Sequence, residues 1–535
     1  MVDPPPPPTN STTVADEGFR MEHDLLGDEQ VPDDCYYGIQ TMRAIQNFDI
    51  TGVPIGHFPQ LIRALAMVKK ACALANHELG NLDTVKKDAI VQAADEIIDG
   101  ALLKQFPVDL IQGGAGTSTN MNMNEVIANR GLELMGHKKG EYHYLHPNND
   151  VNMSQSTNDV YPTACRLAIV FSDDPLIESV RGLMNAMEEK AEEFKDVLKL
   201  GRTQLQDAVP MTLGVEFHGW SLTLGKDLDR MEYVAQQFSS MNLGGTAIGT
   251  GINTDERYTS IAIKKLSEVT GVALTTAPSL VEATSDMGDF MSFSSMLRRL
   301  AVKLSKISND LRLLSSGPRG GINDINLPPM QPGSSIMPGK VNPVIPEAVN
   351  QVCFQVIGND LAVHMASEAG QLQLNAFEPV IIYNILSSLR MMTNATNMLT
   401  ERCIRGITAN KEHCERTVRE SIGIITAFSP FLGYEKSTAL ARQALATGRN
   451  VIDLIKEEKL LSDDKIDSIM TPSNLTGPSS LLSDVKVKNV DRSNTHLRNP
   501  STVPLDQIFG PAVVTMESPR PPSGHRKRAT TQPTP

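Results

Sequence analysis

Between residues 290 and 314 the chain repeats large apolar side chains at alternating steps of three and four: Phe290, Phe293, Leu297, Leu300, Leu304, Ile307, Leu311 and Leu314. Such a seam specifies a helix with one continuous apolar edge, and at 1.5 Å per residue it predicts a rod of ~37 Å. A rod that long overruns the core of one compact globule and suits a bundle that continues across subunits. Residues 344–366 share the character, with Ile345, Val349, Val352, Val356 and Val363 at steps of four, three, four and seven. Residues 376–404 are rich in Leu, Ile and Met, and residues 160–198 and 209–240 read as two further amphipathic helices. Five long helices in a row make a bundle. Its apolar stripes are core packing that scaffolds a site and performs no chemistry.

A chain of 535 residues is long for one core and is expected to divide into three structural regions, 19–158, 159–404 and 405–480. Residues 1–18, with five consecutive prolines, and the Pro/Ser/Thr-rich tail 481–535 are expected to be disordered. The basic run His525-Arg526-Lys527-Arg528 in that tail reads as solvated. A formal charge of -13 argues against nucleic acid or an anionic membrane as partner and suits a cytoplasmic protein. The N-terminus lacks the basic and apolar parts of a secretory signal, and no stretch has the uncharged length of a membrane span. Six scattered cysteines without a Cys-x-x-Cys pair read as reduced thiols, with no structural zinc.

Four short segments carry the chemistry. The first, Gly333-Ser334-Ser335-Ile336-Met337-Pro338-Gly339-Lys340-Val341-Asn342, combines glycine freedom, two hydroxyls, a cation and an amide. Pro332 and Pro338 stop a helix from crossing it, so it reads as a flexible lid. Lys340 and Asn342 can hold a carboxylate while a serine oxygen reaches a neighbouring C–H. The second runs from Gly113-Gly114-Ala115-Gly116-Thr117 to Glu125 and places a glycine turn before a helix start, where free amides attract anions. Thr117 and Asn122 are its candidate contacts, with helix capping as the bland alternative. The third, His146 to Asp159, contains Ser156, Thr157 and Asn158, neutral donors suited to one carboxylate. The fourth is Gly201-Arg202-Thr203-Gln204-Leu205-Gln206-Asp207-Ala208-Val209-Pro210.

Together these motifs resemble the aspartase/fumarase superfamily, whose members eliminate ammonia, water or an amine beside an acidic C–H and usually release fumarate. The likeness to aspartate ammonia-lyases runs from Asp24 to about residue 474 and includes Asp24-Leu25-Leu26-Gly27, Tyr36-Tyr37-Gly38, Gly249-Thr250-Gly251 and Gly370-Gln371-Leu372-Gln373-Leu374-Asn375. Ser156-Thr157-Asn158 is similar to the aspartase form, whereas His146-Pro147-Asn148 is similar to a secondary anion site of fumarate hydratases. Those hydratases carry histidine where Gln204 stands. A glutamine cannot titrate near neutral pH, which favours loss of ammonium over loss of hydroxide, although some aspartases also carry histidine there.

The resemblance implies a mainly α, three-domain fold with a central five-helix bundle that forms a 20-helix core in a homotetramer, each site being shared by three subunits. It also implies roles: Ser334 as base; Lys340, Asn342 and Thr203 on the α-carboxylate; Ser156, Thr157 and Ser335 on the β-carboxylate; Thr117 and Asn158 near the amino group. Glu347 would orient Gln204, or serve only as a favourable charge at a helix start. The expected reaction is reversible conversion of L-aspartate to fumarate and ammonia through an aci-carboxylate. No organic cofactor is implied; some relatives are activated by a divalent cation, for which the sequence locates no site. Fumarate hydratase and a non-catalytic scaffold are the competing readings. The presence of Ser334, Lys340 and Asn342 speaks against the scaffold.

Overall fold

The computed structural model describes residues 18–478 and 480–482. The proline-rich extension through residue 17 and the tail from 483, with its basic run, lie outside the described residues. The chain begins with hairpin β1 (Phe19–Asp24) and β2 (Gly27–Pro32), followed by α1 (Ile39–Asn47), α2 (Pro59–Glu78), α3 (Thr84–Ile98) and α4 (Thr117–Leu134). α2 is buried along most of its length because Leu61, Ile62, Leu65, Val68 and Cys72 cover one side and Ala64, Ala71 and Ala75 allow close approach on another. It packs against α3 and α4.

The long elements come next: α5 (Thr157–Glu193), strands β3 (Leu198–Thr203) and β4 (Gln206–Thr212), α6 (Leu213–Ala235), two-residue β5 (Ser240–Met241), α7 (Tyr258–Thr270), two-residue β6 (Thr275–Thr276), α8 (Leu280–Ser285), α9 (Gly288–Leu314), β7 (Ile325–Asn326), α10 (Val344–Glu368) and α11 (Glu378–Arg402). The five long helices close a ring in which α5 packs on α6, α6 on α9, α9 on α10, α10 on α11 and α11 back on α5. All eight residues of the 290–314 seam are buried. On α10 the inner stripe is Val349, Val356 and Val363, while Phe354, Leu361 and Met365 are more than half exposed.

Contacts at the helix ends fix direction. Arg166, early in α5, pairs with Asp289 at the start of α9 at 2.6 Å. Lys190, late in α5, donates to the Ile407 carbonyl just beyond α11 at 2.9 Å. Arg312, at the end of α9, reaches Asn350 near the start of α10 at 3.1 Å. One end of the bundle therefore carries the starts of α5, α9 and α11, and the other carries their ends together with the starts of α6 and α10.

Two helix boundaries differ from the sequence reading. Residues 206–212 form β4, and α6 begins only at Leu213, where the Thr212 hydroxyl accepts from Val215 N at 3.3 Å. A short apolar run such as Val209-Pro210-Met211 does not distinguish strand from helix by periodicity. α5 begins at Thr157 and ends at Glu193, before β3. Beyond α11, strand β8 (Thr408–Ala409) pairs with β7, and α12 (Lys411–Glu420) packs on β3. Five short helices follow to Leu475, all within the unit that ends at Ser479; Ser480–Leu482 form one 3-10 turn of a second unit. Among the described residues no helix is long and apolar enough to cross a membrane.

Candidate active site

The start of α4 is set by Gly116, in the left-handed region at φ +88°, where a Cβ would press on the Tyr161 ring at 2.5 Å. Only glycine fits both demands. Thr117 follows, exposed, with its hydroxyl donating to the Gly114 carbonyl at 2.8 Å. Asn120, one turn on, donates to the Thr157 hydroxyl at 3.1 Å and so joins α4 to the start of α5. Asn122 does not belong to this site: it is fully buried and donates to the Gln105 carbonyl at 2.9 Å. Its position in the helix faces the core, which the asparagine-rich spelling of the segment concealed.

Ser156 caps α5, its hydroxyl accepting from Asn158 N at 3.3 Å. Asp159 completes a capping box by accepting from Ser156 N at 2.9 Å. Its other oxygen accepts from Gly244 N and Thr246 N at 2.9 and 3.1 Å. Asn158 is held against the same loop, donating to the Ala247 carbonyl at 2.7 Å and accepting from Asn242 Nδ2 at 3.0 Å on its own carbonyl. Burial pushes the Asp159 carboxyl up to about 6, against the backbone donors that pull it down. The result is a rigid, capped helix start presenting Ser156, Thr157 and Asn158 at the positive end of a 37-residue helix. His146 lies in the preceding segment, where its Nδ1 accepts from Asn148 N and Asn149 N at 3.0 and 3.2 Å. That nitrogen is a turn cap.

Thr203 and Gln204 sit on the hairpin between β3 and β4. Thr203 pairs with Gln206, leaving Gln204 and Leu205 as a two-residue turn with φ of 53° and 62°. Both central positions are left-handed, the hairpin geometry that normally selects Asn-Gly or Gly-Gly. Here a glutamine and a 70% exposed leucine take those positions. Left-handed backbone at two residues that are not glycine stores local strain at this tip. The hairpin is anchored by buried Asp324, which accepts from Arg202 at 2.8 Å and has the Lys199 ammonium at 3.4 Å.

In the 333–342 loop, Gly333 N donates to the Lys340 carbonyl at 2.8 Å and Asn342 Nδ2 returns to the Gly333 carbonyl at 2.9 Å, closing the base of the loop. Gly339 supplies the left-handed residue at φ +81°. Gly333 is required for another reason: a Cβ there would meet the Lys340 carbonyl at 2.7 Å. The Ser334 hydroxyl oxygen accepts from both Ile336 N and Met337 N, at 3.1 and 3.0 Å. Ser335 and Lys340 are exposed, and the Lys340 ammonium has no carboxylate partner among the described residues. Lys340, Asn342 and Glu347 line a cleft of about 570 Å³ with Arg312 and Asn326. Gln204 is not among its lining residues.

The candidate residues thus form two groups. Thr117, Ser156, Thr157 and Asn158 gather where α5 begins. Thr203, Gln204, Ser334, Ser335, Lys340 and Asn342 lie beyond its far end or at the corresponding ends of α9 and α10. At 1.5 Å per residue, the 37 residues of α5 separate the groups by ~55 Å. Even if the six-residue strand β3 folded straight back by ~20 Å, one chain could not place both groups around a four-carbon acid.

Comparison with known proteins gives this geometry a family. Residues 27–358 match the family profile described as Lyase, and residues 424–477 match Fumarase C C-terminus. The aspartate ammonia-lyase of Pseudomonas aeruginosa is 60% identical over 460 residues, covering 86% of this chain and 97% of that relative. The chain belongs to the aspartate ammonia-lyase family. The Escherichia coli aspartate ammonia-lyase is 54% identical over 460 residues, covering 86% of this chain and 96% of that relative. Among solved structures, a Brucella melitensis protein described as fumarate lyase:delta crystallin, bound to cobalt, superposes with a TM-score of 0.84 at 56% identity, covering 86% and 100% of the two chains. A class II fumarase from Schistosoma mansoni gives 0.81 at 34% identity, covering 86% and 99%. The ammonia-lyase relatives stand well above that fumarase in identity, in line with Ser156-Thr157-Asn158 and Gln204.

Membership of the aspartate ammonia-lyase family does not by itself expose the residues that hold the site together. Asp159 had a sequence signal, the Ser-x-x-Asp spacing of a capping box. Lys69 had a fainter one: it falls at the four-residue step from Leu65 on the apolar side of α2 and is fully buried. Asp324 had none that periodicity could find.

Proposed function

We propose that this protein catalyses the reversible elimination of ammonia from L-aspartate to give fumarate, with Ser334 removing the Cβ proton. The observation that carries the reading is the Ser334 oxygen held by two backbone N–H groups on a loop that also presents Lys340 and Asn342. A serine hydroxyl is a poor base unless its alkoxide is favoured. Two amide donors favour it, the more so when closure brings in Lys340 and excludes water. Closure would also cover Ile336 and Met337, which are 87% and 51% exposed in the open loop.

The Cβ proton is weakly acidic, so the dianionic aci-carboxylate formed by its loss needs donors already in place. Ser156, Thr157 and Ser335 supply them to the β-carboxylate. Lys340, Asn342 and Thr203 hold the α-carboxylate, and Thr117 and Asn158 face the amino group. Gln204 borders the leaving ammonium and accepts from it. The chemistry uses no organic cofactor. Because the two groups of residues stand ~55 Å apart along one chain, the working particle holds more than one chain, with the end of one bundle meeting the start of another, and the family resemblance makes it a tetramer. The exposed apolar face of α10 supports such packing. An acidic balance and six unpaired thiols support a cytoplasmic setting.

The direct test follows fumarate absorbance after adding L-aspartate, with L-malate in parallel. Fumarate from aspartate alone is expected; turnover of malate without turnover of aspartate would replace the reading with a hydratase. Gln204→His probes the leaving group more finely. Deamination is expected to survive, and its pH profile to gain a limb near ~6.5, the ordinary histidine value. A folded variant with an unaltered profile would remove Gln204 from the chemistry.

A further inference from the structure

Of the buried cations Lys69, Arg166, Lys190 and Lys199, Lys69 alone has no carboxylate partner among the described residues. Lys69 is fully buried on α2. It donates to Asn152 Oδ1 at 2.9 Å and Gln155 Oε1 at 2.8 Å. Asn152 Oδ1 also receives Asn120 Nδ2 and Asn124 Nδ2, both at 3.2 Å, so three donors converge on one amide oxygen. Asn120 Nδ2 reaches onward to the Thr157 hydroxyl at 3.1 Å. The ammonium is therefore linked to Thr157, a residue assigned to the β-carboxylate, through three hydrogen bonds by way of Asn152 and Asn120. Burying an ammonium costs several kcal/mol unless a counter-charge is present. Here the resting chain supplies only amides in contact.

We propose that Lys69 is a positioning residue beneath the dicarboxylate pocket, holding Thr157 through Asn152 and Asn120, and that it takes up a proton when a dicarboxylate occupies the pocket. The substrate then adds a second counter-charge to that of Asp159, which acts on Lys69 from beyond contact distance. Around Lys69 the ionisable groups are Cys72 on its own helix, Asp159 on α5 and Tyr258 on α7; α4 faces it with the amides of Asn120 and Asn124. Burial lowers the Lys69 ammonium to about 7, pushes the Cys72 thiol up to about 12 and raises the Tyr258 hydroxyl well above its usual range. Near neutral pH, Lys69 and Asp159, at about 6, are thus the members of this cluster able to change charge.

The sign follows from linkage. An anion binds the protonated lysine more tightly, so occupancy raises its pKa from about 7 and drives proton uptake just above that pH. Affinity for a dicarboxylate should fall as pH rises from 7 to 9. Uptake through Asp159 would instead centre near pH 6.

Fumarate without ammonia is a clean probe, being fully ionised at neutral pH and unable to undergo amination. Calorimetric titration of the assembled protein with fumarate, in two buffers of different ionisation enthalpy, counts the protons. Roughly half a proton per site is expected near pH 7.5 in the wild type. In Lys69→Met that uptake should vanish and fumarate should bind tenfold or more weakly. Where the methionine variant does not assemble, Lys69→Gln keeps a hydrogen-bond donor without the titrating charge and should give the same result. Wild-type binding without uptake, or full uptake in an assembled variant, overturns the role. The inference rests on the aspartate–fumarate reading, and the two fail differently: no fumarate binding at all would overturn both, whereas binding without proton uptake overturns this one alone.

Discussion

Ser334→Ala is expected to lower kcat by ~10²-fold or more while leaving the assembled particle intact. The oxygen it removes is a proton acceptor in the proposed reaction and a hydrogen-bond acceptor for Ile336 N and Met337 N in the resting loop. The second role is replaceable, because the loop is open to water. Its base is closed independently by the Gly333 to Lys340 backbone bond and by Asn342. Stability should therefore change by less than ~1 kcal/mol, and KM for aspartate should move little, since Lys340 and Asn342 remain. Steady-state kinetics with a melting curve on the same preparation make the measurement. Retention of more than about a tenth of wild-type kcat in a folded variant would assign the base elsewhere.

Mixing two inactive variants should restore activity, the second large effect. Thr117→Ala damages the group at the start of α5, and Lys340→Ala damages the group at the opposite end of the bundle. If each site draws these groups from different chains, co-assembly at equal amounts leaves roughly a quarter of sites with both groups intact. Each homogeneous variant has none. Recovery should appear only after subunits are exchanged, by co-expression or by dissociation and reassembly, and it should be absent when finished particles are simply combined. Failure to recover after exchange has been verified by mass would mean that one chain supplies both groups, contradicting the length of α5.

The bundle was legible in the sequence because a heptad seam leaves little choice. Eight apolar residues at steps of three and four cannot all be buried by a strand, and in the fold they are all buried on α9. The hairpin was not legible. Val209-Pro210-Met211 is too short to reveal a period, and Gln204 and Leu205 lack the glycine or asparagine that announces a left-handed turn. Residues with a chemical identity suited to catalysis were visible from their types and spacing, as Ser334, Lys340 and Thr157 illustrate. Asn122 shows the limit of that approach: it shares a motif with Thr117 but turns inward to the Gln105 carbonyl. Lys69 shows the converse, since a lysine is normally read as solvated and its burial depends on α4, α5 and the 147–155 segment closing over it.

The 37-residue span of α5 makes that helix a ruler. Inserting one residue would lengthen it by ~1.5 Å and rotate everything beyond by ~100°, turning Lys190 away from the Ile407 carbonyl or Arg166 away from Asp289. The other four long helices are gauged against it, so none can change length alone without shifting the ends that pack together. Insertions and deletions should consequently be admitted in the surface turns and in the segments before and after the folded unit, while the rods stay fixed in residue count. With sites shared between chains as proposed, helix length becomes a functional dimension as sensitive as the identity of any side chain at those ends.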